Sequence, residues 1–277
     1  MISDCAFVRL NNGLRLAYVE QGSRDGIAVV MLHGYSDTHR SFDLVRPLLP
    51  RAWRVIAVTQ RGHGHSDKPQ SDYAMDDFAG DVTALLDALE IERAVLVGHS
   101  MGAAVALRVA ADRPDRVAGL ALLSGFASFS ANPGAVELFD LVEGFGDQID
   151  PIFVRSFQAS TMAAPMSQGF IEFVSNESMR CPVRAWKGAA RAMAAHDPLA
   201  DAGWVGAPSM LIWGDKDAFV PRADQHALRR ALRGSRLITL SGAGHAPHWE
   251  RTADTAACLR AFVTDIDEPR LYARTAS

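Results

Sequence analysis

Ser100 lies in the pentapeptide Gly98-His99-Ser100-Met101-Gly102, and two later loops carry Asp215, Asp217 and His245. A serine hydroxyl becomes a nucleophile only when a base takes its proton, and an imidazole base needs a carboxylate to hold its tautomer. These residue types therefore suit acyl transfer: attack on a carbonyl, proton shuttling by histidine, and release by water. The glycine spacing adds a geometric condition. A serine displayed on a very tight strand-to-helix turn needs small residues two positions before and two after, because larger side chains would strike the joined strand and helix.

The elements that must hold these residues can be read around them. The apolar run Ala94-Val95-Leu96-Val97 precedes the pentapeptide, and an Ala-rich helical segment follows it to Ala111. The strand Ser209 to Trp213 leads into the Asp215–Asp217 loop, and the strand Leu237 to Leu240 leads into Ser241-Gly242-Ala243-Gly244-His245. Upstream, residues 5–10 and 14–20 alternate around Asn11-Asn12-Gly13, which predicts a hairpin. Ile27 to Leu32, Arg54 to Val58 and Val117 to Leu123 read as buried strands. A helix is expected over Arg40 to Leu49. Another is expected through Val82, Leu85, Leu86 and Leu89, capped by Asp76-Asp77. Strand and helix alternate, so the fold class is α/β, with a mostly parallel, doubly wound sheet.

That alternation stops after Ser124. From residue 128 to residue 203 only helical patterns appear, crowded with phenylalanine and methionine and containing no tyrosine. This predicts an all-helical cap inserted into a core made of residues 1–127 and 204–277, lying over the carboxyl edge of the sheet. A last helix is expected from about Ala253 to Thr264, with no pattern in Glu268 to Ser277.

Composition narrows the partners. With 277 residues, a net charge of -4 and no Lys/Arg stripe, nucleic acid is not an expected partner. No apolar run approaches the ~18 residues of a membrane span, and Met-Ile-Ser-Asp-Cys does not open a secretory signal. Cys5, Cys181 and Cys258 are odd in number and far apart, which predicts a reducing, cytoplasmic setting without disulfides. The spacing of His63, His65 and His99 has no metal-ligand logic, so neither metal nor cofactor is expected. The expected partner is a small-molecule substrate, and a homodimer is left open.

The order Ser, Asp, His on successive strand ends is that of the α/β-hydrolase fold, and from about Leu10 to Asp265 the chain resembles the capped members of that superfamily: esterases, lactonases, C–C bond hydrolases and cofactor-free haloperoxidases. The family's strand-Gly-x-x-Asp-x-x-x-Pro pattern falls on Asp217, which leaves Asp215 as a turn former. Its Gly-His pattern, followed by Pro and Glu, falls on Gly244-His245 with Pro247 and Glu250. The resemblance thus implies a triad of Ser100, Asp217 and His245. It also implies an oxyanion hole from the backbone N–H groups of Met101 and of Tyr35, the latter in the family's His-Gly-x motif at His33-Gly34-Tyr35. Arg61-Gly62-His63-Gly64-His65-Ser66 matches a bracing loop of the family, with Thr59 where Asp is common. His33 is then a loop anchor, His99 faces away from the nucleophile or lines the pocket wall, and His248 is a surface or pocket-edge residue. Phe126, Trp186 and Phe219 are candidate pocket-lining residues.

Serine at position 100 disfavours the relatives that form an alkyl ester on an elbow aspartate, the haloalkane dehalogenases and epoxide hydrolases. The expected function is hydrolysis of a small carboxylic ester or lactone through an acyl-enzyme. Alternatives are C–C hydrolysis of a dienoate-type diketone, with Arg155, Arg180, Arg184 or Arg191 of the cap binding its carboxylate. Perhydrolase or haloperoxidase side activity and a slow-turnover small-molecule sensor complete the set.

Overall fold

The computed structural model describes residues 5–275, with side chains through residue 268, so the expectation for the first four residues lies outside it. Eight strands form one sheet: β1 (Ala6–Arg9), β2 (Arg15–Gly22), β3 (Ala28–Leu32), β4 (Arg54–Val58), β5 (Ala94–His99), β6 (Val117–Leu123), β7 (Ser209–Gly214) and β8 (Arg236–Leu240). Their order is β1-β2-β4-β3-β5-β6-β7-β8. β2 is antiparallel to β1 and to β4, and every pair from β4 to β8 is parallel. The first hairpin turns through Gly13, whose φ of 88° lies in the left-handed region that Asn-Gly turns use.

β3, β4 and β5 are buried at every position because helices cover both faces. Side chains alternate between two cores: Val30, Leu32 and Leu96 face one, and Val29, Met31, Val95 and Val97 face the other. The first core receives α1 (Met75–Ala88) and α2 (Met101–Asp112), and the second receives α10 (Thr252–Thr275). The chain leaves β3 for β4 on one side and returns to β5 on the other. The loops after β3 and β5 therefore diverge over a crevice at the carboxyl edge, where open α/β sheets bind ligands.

Between β6 and β7 the chain makes five helices and no strand: α3 (Pro133–Glu143), α4 (Pro151–Ser160), α5 (Gln168–Ser178), α6 (Val183–Ala195) and α7 (Pro198–Ala202). Local chemistry starts them. Asn132, Asp150 and Asp197 each accept a hydrogen bond from the first turn, and proline follows each at the first helical position, where its missing N–H costs nothing. Trp186 of α6 is wholly buried among Tyr35, Phe145, Phe153 and Phe157, which joins the insertion to the core.

Three expectations about elements are corrected. Residues 40–49 form no α-helix but two 3-10 turns, His39–Phe42 and Arg46–Leu48, because Pro47 cannot donate the i→i−4 bond that a continuous helix needs. The cap of α1 is Ala74, not the Asp pair. Asp77 accepts from the Ala74 N–H at 2.8 Å, and Asp76 instead pairs with Arg108 at 2.6 Å. The last helix runs on to Thr275, since Glu268, Arg270, Leu271 and Ala273 are strong helix formers that propagate a helix already nucleated. No helix among the described residues is long and apolar enough to cross a membrane.

The loop after β4 is fixed by a buried ion pair. Arg61 donates through Nε and Nη2 to both carboxylate oxygens of Asp81 at 2.6 Å, and the two side chains are only 5% and 4% exposed. Without Asp81 the buried guanidinium would keep only the longer Asp77 contact at 3.7 Å and the Asp72 carbonyl. Asp81→Ala is expected to lower unfolding free energy by about 3 kcal/mol, read from the denaturant midpoint. A loss under about 1 kcal/mol would mean that water replaces the lost carboxylate.

Candidate active site

The chain ends β5 on a turn with almost no spare volume. A Cβ at Gly98 would lie 2.2 Å from the Gly102 carbonyl oxygen, and one at Gly102 would lie 2.2 Å from that of Leu32 in β3. Both positions therefore exclude any side chain. Between them Ser100 takes φ 53° and ψ -115°, a strained conformation for a residue with a Cβ. Its N–H bonds Leu123 O at 2.9 Å, and α2 begins at the next residue.

Asp217 follows β7 in a loop that supplies donors. Its Oδ1 accepts from the N–H groups of Phe219 and Val220, each at 2.9 Å, and the carboxylate lies 3.0 Å and 3.1 Å from His245 Nδ1. Its side chain has no exposed area. Burial alone would raise its pKa, but the His245 charge and hydrogen bond and the two backbone donors outweigh it, and the pKa is lowered. A carboxylate at Nδ1 leaves Nε2 as the free acceptor of the ring. Asp215 takes a different post: it accepts from Gly242 N at 2.7 Å and ties down the turn after β8.

The histidine loop is held from two sides. The His245 N–H donates to Thr161 O at 2.8 Å, at the end of α4, and the His245 carbonyl accepts from His99 Nε2 at 2.9 Å. Glu250 adds a third tie, accepting from Gly244 N and Ala163 N at 2.7 Å each. His33 is an anchor: Gln60 N–H donates to its Nε2 at 3.0 Å, so its Nδ1–H donates to Gly34 O at 2.8 Å.

Ser100 and His245 both line a cavity whose remaining wall is almost entirely apolar, with Phe126, Phe129, Phe139, Phe157, Met193 and Phe219. They also line a smaller, adjoining cavity, whose wall includes Asp37, His99, Gln158 and Thr161. The expected lining residues Phe126 and Phe219 are in the apolar wall. Trp186 is not, and this is a correction: it packs behind Tyr35, whose hydroxyl donates to Trp186 O at 2.8 Å, so the tryptophan supports the wall without reaching it. His248 is a second correction, since it is wholly buried. Its ring lies 4.4 Å from that of His99, and its Nε2 is 2.9 Å from Ser41 Oγ. None of the four cap arginines lines either cavity. Arg191 pairs with Glu143, Arg180 with Glu177, Arg184 with the carbonyls of Lys68 and Pro69, and Arg155 with Gln168.

Asp37 and Gln158 were not foreseen. Asp37 looks like an ordinary polar turn residue between Ser36 and Thr38, and nothing local marks it as buried. Gln158 did leave a signal, because it stands four residues after Val154 on the buried face of α4. Gln158 Nε2 donates to Asp37 Oδ1 at 3.0 Å, and burial pushes the Asp37 carboxyl up to about 6 against the opposing pull of Gln158, Ser41 and His245. A wider groove of about 800 Å³ lies at the opposite end of the sheet. Its arginines are engaged, Arg54 with Glu20 and Arg236 with Asp265, and it holds neither serine nor histidine. Among the described residues no cluster could hold a metal ion.

The Alpha/beta hydrolase family model matches residues 29–258, and the chain belongs to that family. It is a hydrolase. The pimeloyl-[acyl-carrier protein] methyl ester esterase of Neisseria meningitidis serogroup A is 32% identical over 253 residues, covering 87% of this chain and 78% of its own. Among solved structures, the esterase EaEST of Exiguobacterium antarcticum superposes with a TM-score of 0.85 at 22% identity, over 94% of this chain and 99% of its own. The enol-lactonase of Burkholderia xenovorans LB400 superposes with a TM-score of 0.83 at 22% identity, over 94% and 100%. At that identity the two structures share the fold.

Burial lowers the pKa of His39 and His63 to about 4 and of His99 to about 3, and it holds His33 and His248 well below the ordinary value near 6.5. Each is neutral when folded but binds a proton near pH 6.5 when unfolded. The unfolded state therefore gains protons first, and stability falls as pH drops from about 6.5 to about 4. Asp37, raised to about 6, works the other way but is a single group against five. Tm is expected to fall by roughly 10 °C or more across that window in a thermal scan. A flat profile would show these histidines to be protonated in place.

Proposed function

We propose that this protein hydrolyses a small carboxylic ester through an acyl-enzyme, with Ser100 as nucleophile, His245 as general base and acid, and Asp217 as the carboxylate that orients the imidazole. One observation carries the reading: a strained serine and an Asp-oriented histidine line the same narrow, aromatic cavity. Ser100 Oγ adds to the ester carbonyl while its proton passes to His245 Nε2. The tetrahedral intermediate then expels the alcohol, protonated by His245, and water releases the acid in the mirror-image step.

The oxyanion is received by the backbone N–H groups of Tyr35 and Met101. Met101 is the first residue of α2 and so has no acceptor within its helix, and among the described residues none takes the Tyr35 N–H. Residues 128–203 act as the cap, completing the pocket that the core, residues 1–127 and 204–277, leaves open. The phenylalanine wall, Phe126 and Phe219 included, suits an apolar acyl chain, which also fits the pimeloyl methyl ester named for the curated relatives. No observation favours the C–C reading, since the cap arginines that would hold a diketone carboxylate are paired elsewhere.

Ser100→Ala is expected to cut kcat on p-nitrophenyl butyrate by about 10³-fold or more, and Asp217→Asn by about 10⁴-fold through the wrong histidine tautomer. A serine-directed phosphonate should add a single mass to the native chain and none to Ser100→Ala. Full turnover by Ser100→Ala would overturn the mechanism. Stoichiometric capture of the ester without turnover by the native chain would make it a sensor.

A further inference from the structure

The small cavity beside Ser100 and His245 is bordered by side chains whose spare hydrogen-bonding atoms are mostly acceptors. It measures about 20 Å³, enough for a single water molecule, which needs roughly 10–15 Å³. Apart from the Ser100 hydroxyl and the Tyr35 N–H, which the acyl-enzyme chemistry uses, its donors are already engaged. Tyr35 Oη–H donates to Trp186 O, Trp249 Nε1–H to Ser41 O and Thr161 Oγ1–H to Gln158 O, each at 2.8 Å. Gln158 Nε2 donates to Ser178 Oγ at 2.6 Å as well as to Asp37. His99 Nε2–H donates to the His245 carbonyl, and since His99 is neutral its Nδ1 carries no proton.

The unpartnered atoms of its other lining side chains are acceptors. Neither His99 Nδ1 nor Gln158 Oε1 has a hydrogen-bond partner among the described residues, although both side chains are at least 97% buried. Among the described residues the Asp37 carboxylate receives only Gln158 and, at 3.3 Å, Ser41. Gly34 leaves room for this arrangement, because a Cβ there would stand 2.7 Å from His99 Nδ1 and 3.3 Å from Asp37 Oδ2.

We propose that this acceptor-lined cavity, built by Asp37, His99 and Gln158, is the binding site of the nucleophilic water that deacylates the enzyme. The inference rests on the acyl-enzyme reading above. A water has two O–H bonds. One is given to His245 Nε2 and the other to an acceptor of the cavity, which leaves a lone pair directed at the acyl carbonyl carbon. As the oxygen–carbon bond forms, the proton passes to His245. The bond to Ser100 Oγ then breaks, the proton returns to Oγ, and the carboxylic acid departs. Above pH about 6 Asp37 is ionised and acts only as an acceptor, which suits this task. The site has room for a nucleophile no larger than water. Hydrolysis is thereby favoured over transfer to alcohols, and the phenylalanine arm remains for the acyl chain.

Asp37→Asn and Gln158→Met keep side-chain volume and alter the acceptors. The test is rapid-mixing kinetics with p-nitrophenyl butyrate, together with product analysis in dilute methanol. In each variant the p-nitrophenol burst rate is expected to change less than about twofold while deacylation slows at least tenfold. The butyryl adduct should accumulate by intact mass, and the ratio of methyl butyrate to butyric acid should rise severalfold. Equal slowing of both steps, or an unchanged product ratio in folded variants, would overturn the water site. A native enzyme that forms neither adduct nor methyl butyrate would instead overturn the acyl-enzyme reading on which it stands.

Discussion

The contact between the first turn of α2 and the end of β3 decides the rest of the site. Gly102 packs so closely on the Leu32 and His33 carbonyls that no Cβ fits. β3 and β5 are already adjacent in the sheet, with Leu32 opposite Gly98, so this contact brings the loop after β3 beside the turn after β5. Ser100 and Tyr35 come to line one cavity there because backbone, not side chains, fills the space. A single methyl group at either glycine would separate them. The strain at Ser100 is the cost of that proximity, and the sheet on one side and α2 on the other are stiff enough to hold it.

A second consequence follows from how the histidine loop is held. Its N–H is bound to Thr161 of the helical insertion and its carbonyl to His99 of the elbow itself. The α4–α5 part of the insertion is further tied to the core through Thr38 to Glu177 at 2.8 Å, through Arg40 over the Phe173 ring at 4.3 Å, and through Glu250. Motion of that part would drag the imidazole with it. α3 and α6 contribute Phe139 and Met193 to the apolar wall and are tied to the core elsewhere, α6 where Tyr35 Oη–H donates to Trp186 O and α3 where Asn132 Nδ2–H donates to Phe219 O.

The legibility of this protein in its sequence divides along physical lines. Strands, the elbow glycines and the acid and histidine loops were readable because each depends on local rules: period-two burial, exclusion of Cβ, and loops placed at strand ends. The helical stretch between β6 and β7 was readable from periodicity, and its Asn-Pro and Asp-Pro pairs mark helix starts. What escaped depends on contacts made across the chain. Asp37 meets Gln158 across 121 residues and Ser41 faces His248 across 207, and no local pattern encodes either pairing. Trp186 looked like a pocket residue because aromatic content alone does not say which face of a helix meets a cavity. His248 looked exposed because it follows a proline at a helix start, yet α9 (Pro247–Glu250) is buried by the Ser41 turn and Phe42.

Two carboxylates flank one imidazole, and the environment drives them apart. Asp217 collects the His245 ring N–H and two backbone N–H groups, and its pKa falls despite burial. Asp37 has one amide and one distant hydroxyl, so burial wins and its pKa rises. The number and charge of donors, not depth, decide the difference. Asp217 is thereby favoured as an anion beside the His245 ring. Asp37 is an anion only weakly satisfied, with lone pairs left for a further donor. His248 Nε2–H donates to Ser41 Oγ, whose own O–H turns to Asp37 Oδ2, so that carboxylate is approached through neutral groups alone. A second full positive charge on that side would compete with His245 for the Asp217 carboxylate. The buried, neutral histidines at 99 and 248 avoid this, and they fill the space behind His245 without adding charge to it.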